Sequence, residues 1–186
     1  MKTRFAVTAI LAGTMLLAAC DTAKKTGADA AIKTAQTAYS AIADQAKTYA
    51  PDQAAAVQAS IQSAKDAYDK GDYSAAFDAA KELPGKIQDL SKAISAKKDE
   101  LTAKWNELSS SMPGMVSAVQ TKMDALTKSH RVPKGAADMF ASVKQTWADA
   151  SSSFTSGQIP DALAKASAAK QKLVDLEASL GMKPAA

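Results

Sequence analysis

Apolar residues recur along this chain at intervals of three and four positions, which is the period of one face of an α-helix. The longest stripe begins at Tyr73 and keeps its phase past Pro84-Gly85 as far as Leu108. It predicts one helix that is kinked at Pro84, because proline lacks a backbone donor and crowds the preceding turn, with a complete break as the alternative. Shorter stripes predict further helices at about 29–49, 51–70, 115–126, 140–154 and 160–180.

Turn-forming residues separate these stripes. Pro51 follows the first predicted helix, and Gly71 occupies a position suited to a left-handed helix end. We predict loops over 109–114 and 128–134, and a frayed tail over 182–186. The pattern predicts an all-α protein of long antiparallel helices, which form hairpins in a bundle or short solenoid.

The N-terminal segment has a different pattern. Lys2 and Arg4 precede a mostly apolar run over 5–17, and this run is followed closely by Cys20. A helix that spans a bilayer needs about 20 apolar residues, so the run is too short for one. A positive start, an apolar middle and small residues at the end are typical of a cleaved signal.

The order Leu17-Ala18-Ala19-Cys20 resembles the lipobox of bacterial lipoproteins. The resemblance implies removal of residues 1–19 and attachment of a diacylglyceryl group to the Cys20 thiol, so that 20–28 becomes a lipidated tether. Two or more acyl chains would anchor the mature protein stably in a membrane. Asp21 takes the second mature position, where aspartate resembles the inner-membrane retention signal of enteric-type lipoproteins. The alternative is an ordinary secretory signal followed by an unrelated cysteine.

Three short matches indicate an internal repeat within the expected helical domain, 29–181. They define two helical-hairpin repeats, 51–94 and 133–180, whose glycine turns resemble those of the second half of a tetratricopeptide hairpin. The chain is also similar to small alanine-rich bacterial lipoproteins of unknown function. The matched pairs are 51–55 with 133–137, 71–77 with 157–163, and 86–90 with 172–176.

Composition limits both the core and the range of partners. Hydrophobic residues make up 47% of the 186 residues, but 43 residues are alanine and aromatic residues are only 5%. Alanine favours helices and buries little surface, so the seams between helices should be thin. Loss of Lys2 and Arg4 with the signal lowers the formal net charge from +4 to +2, which gives no basis for nucleic-acid binding.

The sequence lacks the residue patterns of catalytic and cofactor sites. His130 is the only histidine, and Asp66, Asp69 and Asp72 do not match the spacing of a calcium-binding loop. Phosphate-loop, dinucleotide and haem-attachment motifs do not occur. We therefore expect a protein that is not an enzyme and that has no metal or cofactor.

Four bulky residues are candidates for a binding groove between hairpins: Trp105, Met115, Phe140 and Trp147. Tryptophan is enriched at binding hot spots, and methionine-rich surfaces adapt to different partners. Packing in a thin core is the alternative interpretation, because these residues lie on apolar stripes.

Together these features favour a lipid-anchored, non-enzymatic interaction or scaffold protein of the bacterial envelope, which faces the periplasm and binds a protein partner. The residue at position 21 favours the inner membrane. The alternative function is a carrier that holds a hydrophobic small molecule or lipid within the bundle. An enlarged apolar pocket near Trp105, Met115 and Phe140 would indicate the carrier, whereas a solid core with an exposed apolar groove would indicate the scaffold.

Overall fold

A computed structural model describes the backbone of residues 6–183 and the side chains of residues 22–183. Over this range the chain is helical and has no β-strand, so the all-α prediction is confirmed. Within the described part of the chain, no helix is long and apolar enough to cross a membrane. Residues 6–183 contain five helices: α1 (Ala6–Tyr49), α2 (Pro51–Asp69), α3 (Tyr73–Lys128), α4 (Ala136–Thr155) and α5 (Ile159–Ser179).

The chain divides into two compact units, an N-terminal unit that ends at Lys97 and a C-terminal unit that begins at Lys98. The sequence had predicted one helical domain over 29–181. The reason for the division lies on α3, where Ile94 and Trp105 are buried but the intervening Lys97 is exposed and Leu101 only half-buried.

In the N-terminal unit, α1, α2 and the first part of α3 share one core. Alanines on each helix let the helices approach closely, and the larger side chains of α3 fill the remaining space, with Leu83 and Leu90 at most 1% exposed. This core explains why α3 continues unbroken past Pro84, which lies on the exposed side of the helix. The predicted alternative of a complete break there is wrong, and the kink stays a prediction.

In the C-terminal unit, the rest of α3 packs with α4 and α5. The core consists of a methionine-, valine- and leucine-rich cluster and a smaller cluster around Trp105. Trp147 is half-buried and packs against both clusters. The largest fully buried apolar side chains of this unit are Met112, Val119, Val143, Leu173 and Leu176.

The helix α1 does not begin at Asp29, contrary to the sequence prediction. Residues 22–28, which were expected to form part of a tether, are helical, and Ala28 is fully buried. Gly27 would be expected to weaken a helix by about 1 kcal/mol relative to alanine. Here it lies so close to Phe77 of α3 that a Cβ atom would be 2.9 Å from the ring, so packing favours glycine at this position.

The predicted loop over 109–114 is also wrong, because α3 runs through it. Met112 and Met115 are buried on one side of the helix, while Pro113 and Gly114 are exposed on the other. Burial of a methionine contributes about 1.5–3 kcal/mol. Two such contributions offset helix penalties of about 3 kcal/mol for proline and about 1 kcal/mol for glycine.

Two helix ends use the same backbone arrangement at corresponding glycines. Gly71 and Gly157 have φ values of 83° and 81°, in the left-handed region that glycine adopts without strain. At each end the glycine N–H donates to a carbonyl three residues earlier, and the next N–H donates to a carbonyl five residues earlier. The left-handed turn predicted at Gly71 is therefore confirmed.

Helices α2 and α3 correspond to α4 and α5 when 86 is added to each residue number. The alignment pairs Gly71 with Gly157 and keeps the buried face of each helix in register. Thus the same pattern of core positions occurs in both units. The buried positions of α3 at Ala76, Ala80, Leu83, Leu90 and Ile94 match Ala162, Ala166, Ala169, Leu176 and Leu180 of α5.

The first residue of the predicted frayed tail, Met182, packs on the folded part of the chain. Gly181 ends the last helical segment with a φ of 67°. The N–H of Met182 donates to the carbonyl of Glu177 at 2.9 Å, and the Met182 side chain packs on the C-terminal core. Residues 184–186 of the predicted tail lie outside the described residues.

Candidate functional site

A groove runs along the surface between α2 and α3 in the N-terminal unit. It consists of two depressions of about 260 and 330 Å³ that share Ser60 and Lys86 in their walls. Its floor includes Val57 and Leu90, which are 4% and 1% exposed. The polar residues around this floor are Gln53, Ser60, Ser63, Glu82, Lys86 and Asp89.

Lys86 is the central charged group of the groove. Its ammonium Nζ donates to Ser60 Oγ at 3.0 Å and lies 3.7 Å from Glu82 Oε2. The side chain is still 46% exposed, so it can contact a partner while it remains tied to Ser60. The groove therefore combines an apolar floor with a positioned cation and hydroxyl groups.

The C-terminal unit has the matching lysine, but with different partners. Lys172 donates to Thr146 Oγ1 at 3.0 Å and to Ser142 Oγ at 2.9 Å. Thr146 corresponds to Ser60, whereas Ser142 corresponds to Ala56 on the wall of the N-terminal groove. Lys86 thus has one hydroxyl partner fewer than Lys172, but it has Glu82 nearby where the C-terminal unit has Ala168, which distinguishes the two units.

The four residues predicted to line a groove lie instead in the C-terminal core. Trp105, Met115 and Phe140 are at most 9% exposed, and Trp147 is half-buried. The ring of Trp105 stacks on that of Trp147, with centroids 5.3 Å apart, and on the ring of Phe154 at 4.6 Å. Burial of these large rings against one another stabilises the unit. It keeps Trp105, Met115 and Phe140 off the surface, while Trp147 stays partly exposed, and a binding role of these residues stays a prediction.

Comparisons with protein-family models, curated proteins and solved structures find no significant match to this chain. Its function therefore has to be argued from its own residues.

A polar cluster that the sequence did not suggest joins the end of α4 to the start of α5. Lys165 Nζ donates to Asp161 Oδ2 at 2.6 Å and to Ser153 Oγ at 2.9 Å. The ammonium of Lys165, and then the Ser153 hydroxyl at 2.6 Å, hold the pKa of Asp161 below its ordinary value of 3.8. The corresponding residues of the N-terminal unit are all alanine, at positions 67, 75 and 79. We interpret the cluster as a structural link at the helix turn.

Glu177 is a second feature that periodicity alone did not reveal. Its side chain is 2% exposed, and its Oε2 atom is buried with no hydrogen-bond partner. Its counterpart in the N-terminal unit is Ser91, which is exposed. Among the described residues, no group of three or more histidine, cysteine, aspartate or glutamate side chains is placed to hold a metal ion. Glu177 thus places one carboxylate oxygen in the C-terminal unit without a hydrogen-bond partner.

The predicted anchor and sorting residues, Cys20 and Asp21, have side chains outside the described residues. The first described side chains after them belong to helical residues. Lys24 Nζ donates to Ser74 Oγ at 2.9 Å, and Lys25 Nζ lies 5.2 Å from the centre of the Tyr73 ring. Both lysines therefore connect this part of α1 to the first turn of α3.

Proposed function

We propose that this chain is a bacterial lipoprotein that is anchored to the cell envelope through Cys20 and acts there as a non-enzymatic interaction or scaffold protein. The observation that carries the anchoring part is the order of charged, apolar and small residues that ends in Leu17-Ala18-Ala19-Cys20. Acyl chains on Cys20 hold the protein at the membrane, and the helical units face the periplasm.

The groove on the N-terminal unit binds a protein partner. An aliphatic side chain of the partner packs on the exposed alanines of its wall, such as Ala56, and Lys86 Nζ donates to a carboxylate beside it. Short-range contact with an apolar centre and a charged rim is the usual anatomy of a protein interface. A groove of this kind suits a partner's amphipathic helix or extended segment that has an acidic residue next to its apolar residues.

A protein partner is favoured over a hydrophobic small-molecule ligand because the aromatic side chains pack against each other. Trp105, Met115 and Phe140 were the residues expected to surround a carrier's pocket, and all three are buried in core clusters. The stacked ring of Trp147 occupies space next to Trp105. A solid core together with a surface groove supports an interaction or scaffold function over a carrier function.

The anchor is tested by intact mass and membrane fractionation. The mature protein should begin at Cys20 and carry acyl chains, and it should remain with membranes after a salt wash. Cys20→Ala should leave the protein unprocessed or release it from the membrane. A mature form that begins at another residue and lacks lipid would refute the anchor.

The groove is tested by photo-crosslinking in intact cells. A benzoylphenylalanine in place of Ala56, on the groove wall, should form a defined protein adduct, whereas the same residue in place of the neighbouring exposed Ala55 should not. Lys86→Glu should reduce the adduct, and Lys65→Glu on an exposed part of α2 is the matched control. Equal labelling at positions 55 and 56 would contradict a role of the groove. Co-purifying lipid instead of an adduct would indicate the carrier.

A further inference from the structure

The segment 24–27 of α1 is fixed to the turn between α2 and α3 and to the start of α3. Three consecutive contacts hold it there: the hydrogen bond from Lys24 to Ser74, the placement of Lys25 over the Tyr73 ring, and the close packing of Gly27 on Phe77. The three contacts are made by three different residues of one helix. Separation of this segment from α3 would therefore break all three contacts together. The segment is part of the folded N-terminal unit.

This packing limits the distance between the unit and the predicted lipid anchor. Thr22, the first residue with a described side chain, is two residues after Cys20. Two residues of extended chain span at most about 7 Å. The acyl chains on Cys20 would therefore enter the bilayer within a few ångströms of a folded helix, and no flexible spacer separates the two.

We propose that the N-terminal unit docks directly on the bilayer surface with the turn between α2 and α3, which lies beside residues 24–27 of α1. The proposal rests on the proposed lipidation of Cys20 and adds the orientation that the anchor imposes. The groove then lies farther from the membrane, towards the Pro51 end of α2. Asp69, at the turn, and Asp52, at the other end of α2, are about 26 Å apart along the helix axis at 1.5 Å per residue.

The side chains at this end suit the headgroup region of a bilayer. Tyr68 and Tyr73 are half-buried and pack edge to face, with ring centres 5.2 Å apart, and Phe77 is half-buried beside them. Partly exposed aromatic rings are favoured at membrane interfaces. Lys24 and Lys25 are exposed while they make their contacts with Ser74 and Tyr73, so they add positive charge beside an anionic bilayer surface without leaving these contacts.

Among the carboxylates at this end, Asp78 is paired with a lysine and Asp72 accepts a backbone N–H, whereas Asp69 is exposed at the surface, where Lys24 and Lys25 add positive charge. Asp72 Oδ1 accepts the N–H of Ala75 at 3.0 Å, and Asp78 Oδ1 accepts from Lys81 Nζ at 2.8 Å. Lys81 Nζ also lies 5.3 Å from the centre of the Phe77 ring. The covalent position of the acyl chains commits this surface to a lipid bilayer rather than to a protein.

Site-specific quenching tests the orientation. Cys20 is the only cysteine and its thiol is consumed by lipidation, so an introduced cysteine is the single labelling site. Asp69→Cys and Asp52→Cys place one fluorophore at either end of α2, both at exposed positions. Each lipidated protein is reconstituted into vesicles of phosphatidylethanolamine and phosphatidylglycerol that contain a lipid with a nitroxide on its headgroup.

We expect strong quenching at residue 69 and only background quenching at residue 52. Insertion of a flexible Gly-Ser segment after Asp21 should reduce the quenching at residue 69 without releasing the protein from vesicles. Vesicle flotation, measured on the same samples, separates the two proposals. Failure of both proteins to float would overturn the anchor and the docking with it. Flotation with equal quenching at both positions, or with unchanged quenching after the insertion, would overturn the docking alone.

Discussion

Replacement of the buried Glu177 should stabilise the protein. The side chain is 2% exposed on α5, and its Oε2 atom has no hydrogen-bond partner. A buried polar group left without a partner costs about 1–3 kcal/mol, and more if it is charged. Glu177→Met retains a long unbranched side chain, keeps good helix propensity and removes the polar atoms. We therefore expect the free energy of unfolding to rise by about 1–3 kcal/mol.

The effect is measurable by thermal unfolding of the unlipidated Cys20→Ala protein, followed by circular dichroism. A change of 1 kcal/mol shifts the Tm by about 4–8 °C in a cooperative unit of roughly 60–100 residues. The C-terminal unit, which begins at Lys98, is of this size. Glu177→Gln should have a smaller effect than Glu177→Met, because the amide still has a polar atom at the unpartnered position.

The matched control is Glu107→Met, the same change at an exposed glutamate of α3 in the same unit. A surface substitution of this kind should change stability by no more than about 0.5 kcal/mol. If Glu177→Met lowers the Tm while Glu107→Met leaves it unchanged, the carboxyl group makes a favourable interaction and the reasoning is wrong. A Tm equal to that of the parent protein would refute the estimated cost.

Four further predictions concern the core, the turn cluster and the anchor. Leu90→Asp should destabilise the N-terminal unit by more than about 3 kcal/mol in urea unfolding, because it removes a buried side chain and buries a charge, whereas the exposed Asp99→Ala should be nearly neutral. Trp105→Ala should cost about 3–5 kcal/mol and should lower the Tm of the C-terminal unit, because the aromatic stack loses its central ring. The lowered pKa of Asp161 contributes stability above its ordinary value of 3.8 that is lost as the pH falls through the lowered pKa. Asp161→Asn should therefore show a smaller acid-induced decrease of the urea midpoint than the parent, and an equal decrease would contradict the role of the ion pair. On the proposed anchoring, Asp21→Ser should move the protein from inner- to outer-membrane fractions on a density gradient, and a parent protein already in the outer membrane would show that Asp21 carries no sorting information.

Local signals in the sequence were sufficient for several elements. Pro51 separates two helices because its ring and missing N–H are accommodated in a helix only at the first turn. Gly71 ends α2 because glycine adopts a positive φ without a steric penalty. The stripe of α3 identified Leu90 and Ile94 as core residues, and both are buried. Each of these inferences depends on residues within one or two helical turns.

The positions of the candidate sites required contacts between distant parts of the chain. Whether Trp105 lines a groove or fills a core depends on the rings of Trp147 and Phe154, which belong to another helix. The groove in the N-terminal unit is formed by residues such as Ala56 and Lys86, which lie outside the apolar stripes of α2 and α3. No local sequence motif identifies these residues.

The sequence by itself determined the helical class, the ends of most helices and the residues of the proposed lipid signal, because periodicity, glycine, proline and the signal pattern act locally. Only the tertiary structure decided that residues 22–28 are helical, since the favourable contact of Gly27 is with Phe77, 50 residues away. It also decided that α3 passes through Pro113-Gly114, because the burial of Met112 and Met115 depends on α4 and α5. Local propensities of about 1–3 kcal/mol were overridden in these segments by apolar burial of similar or larger size.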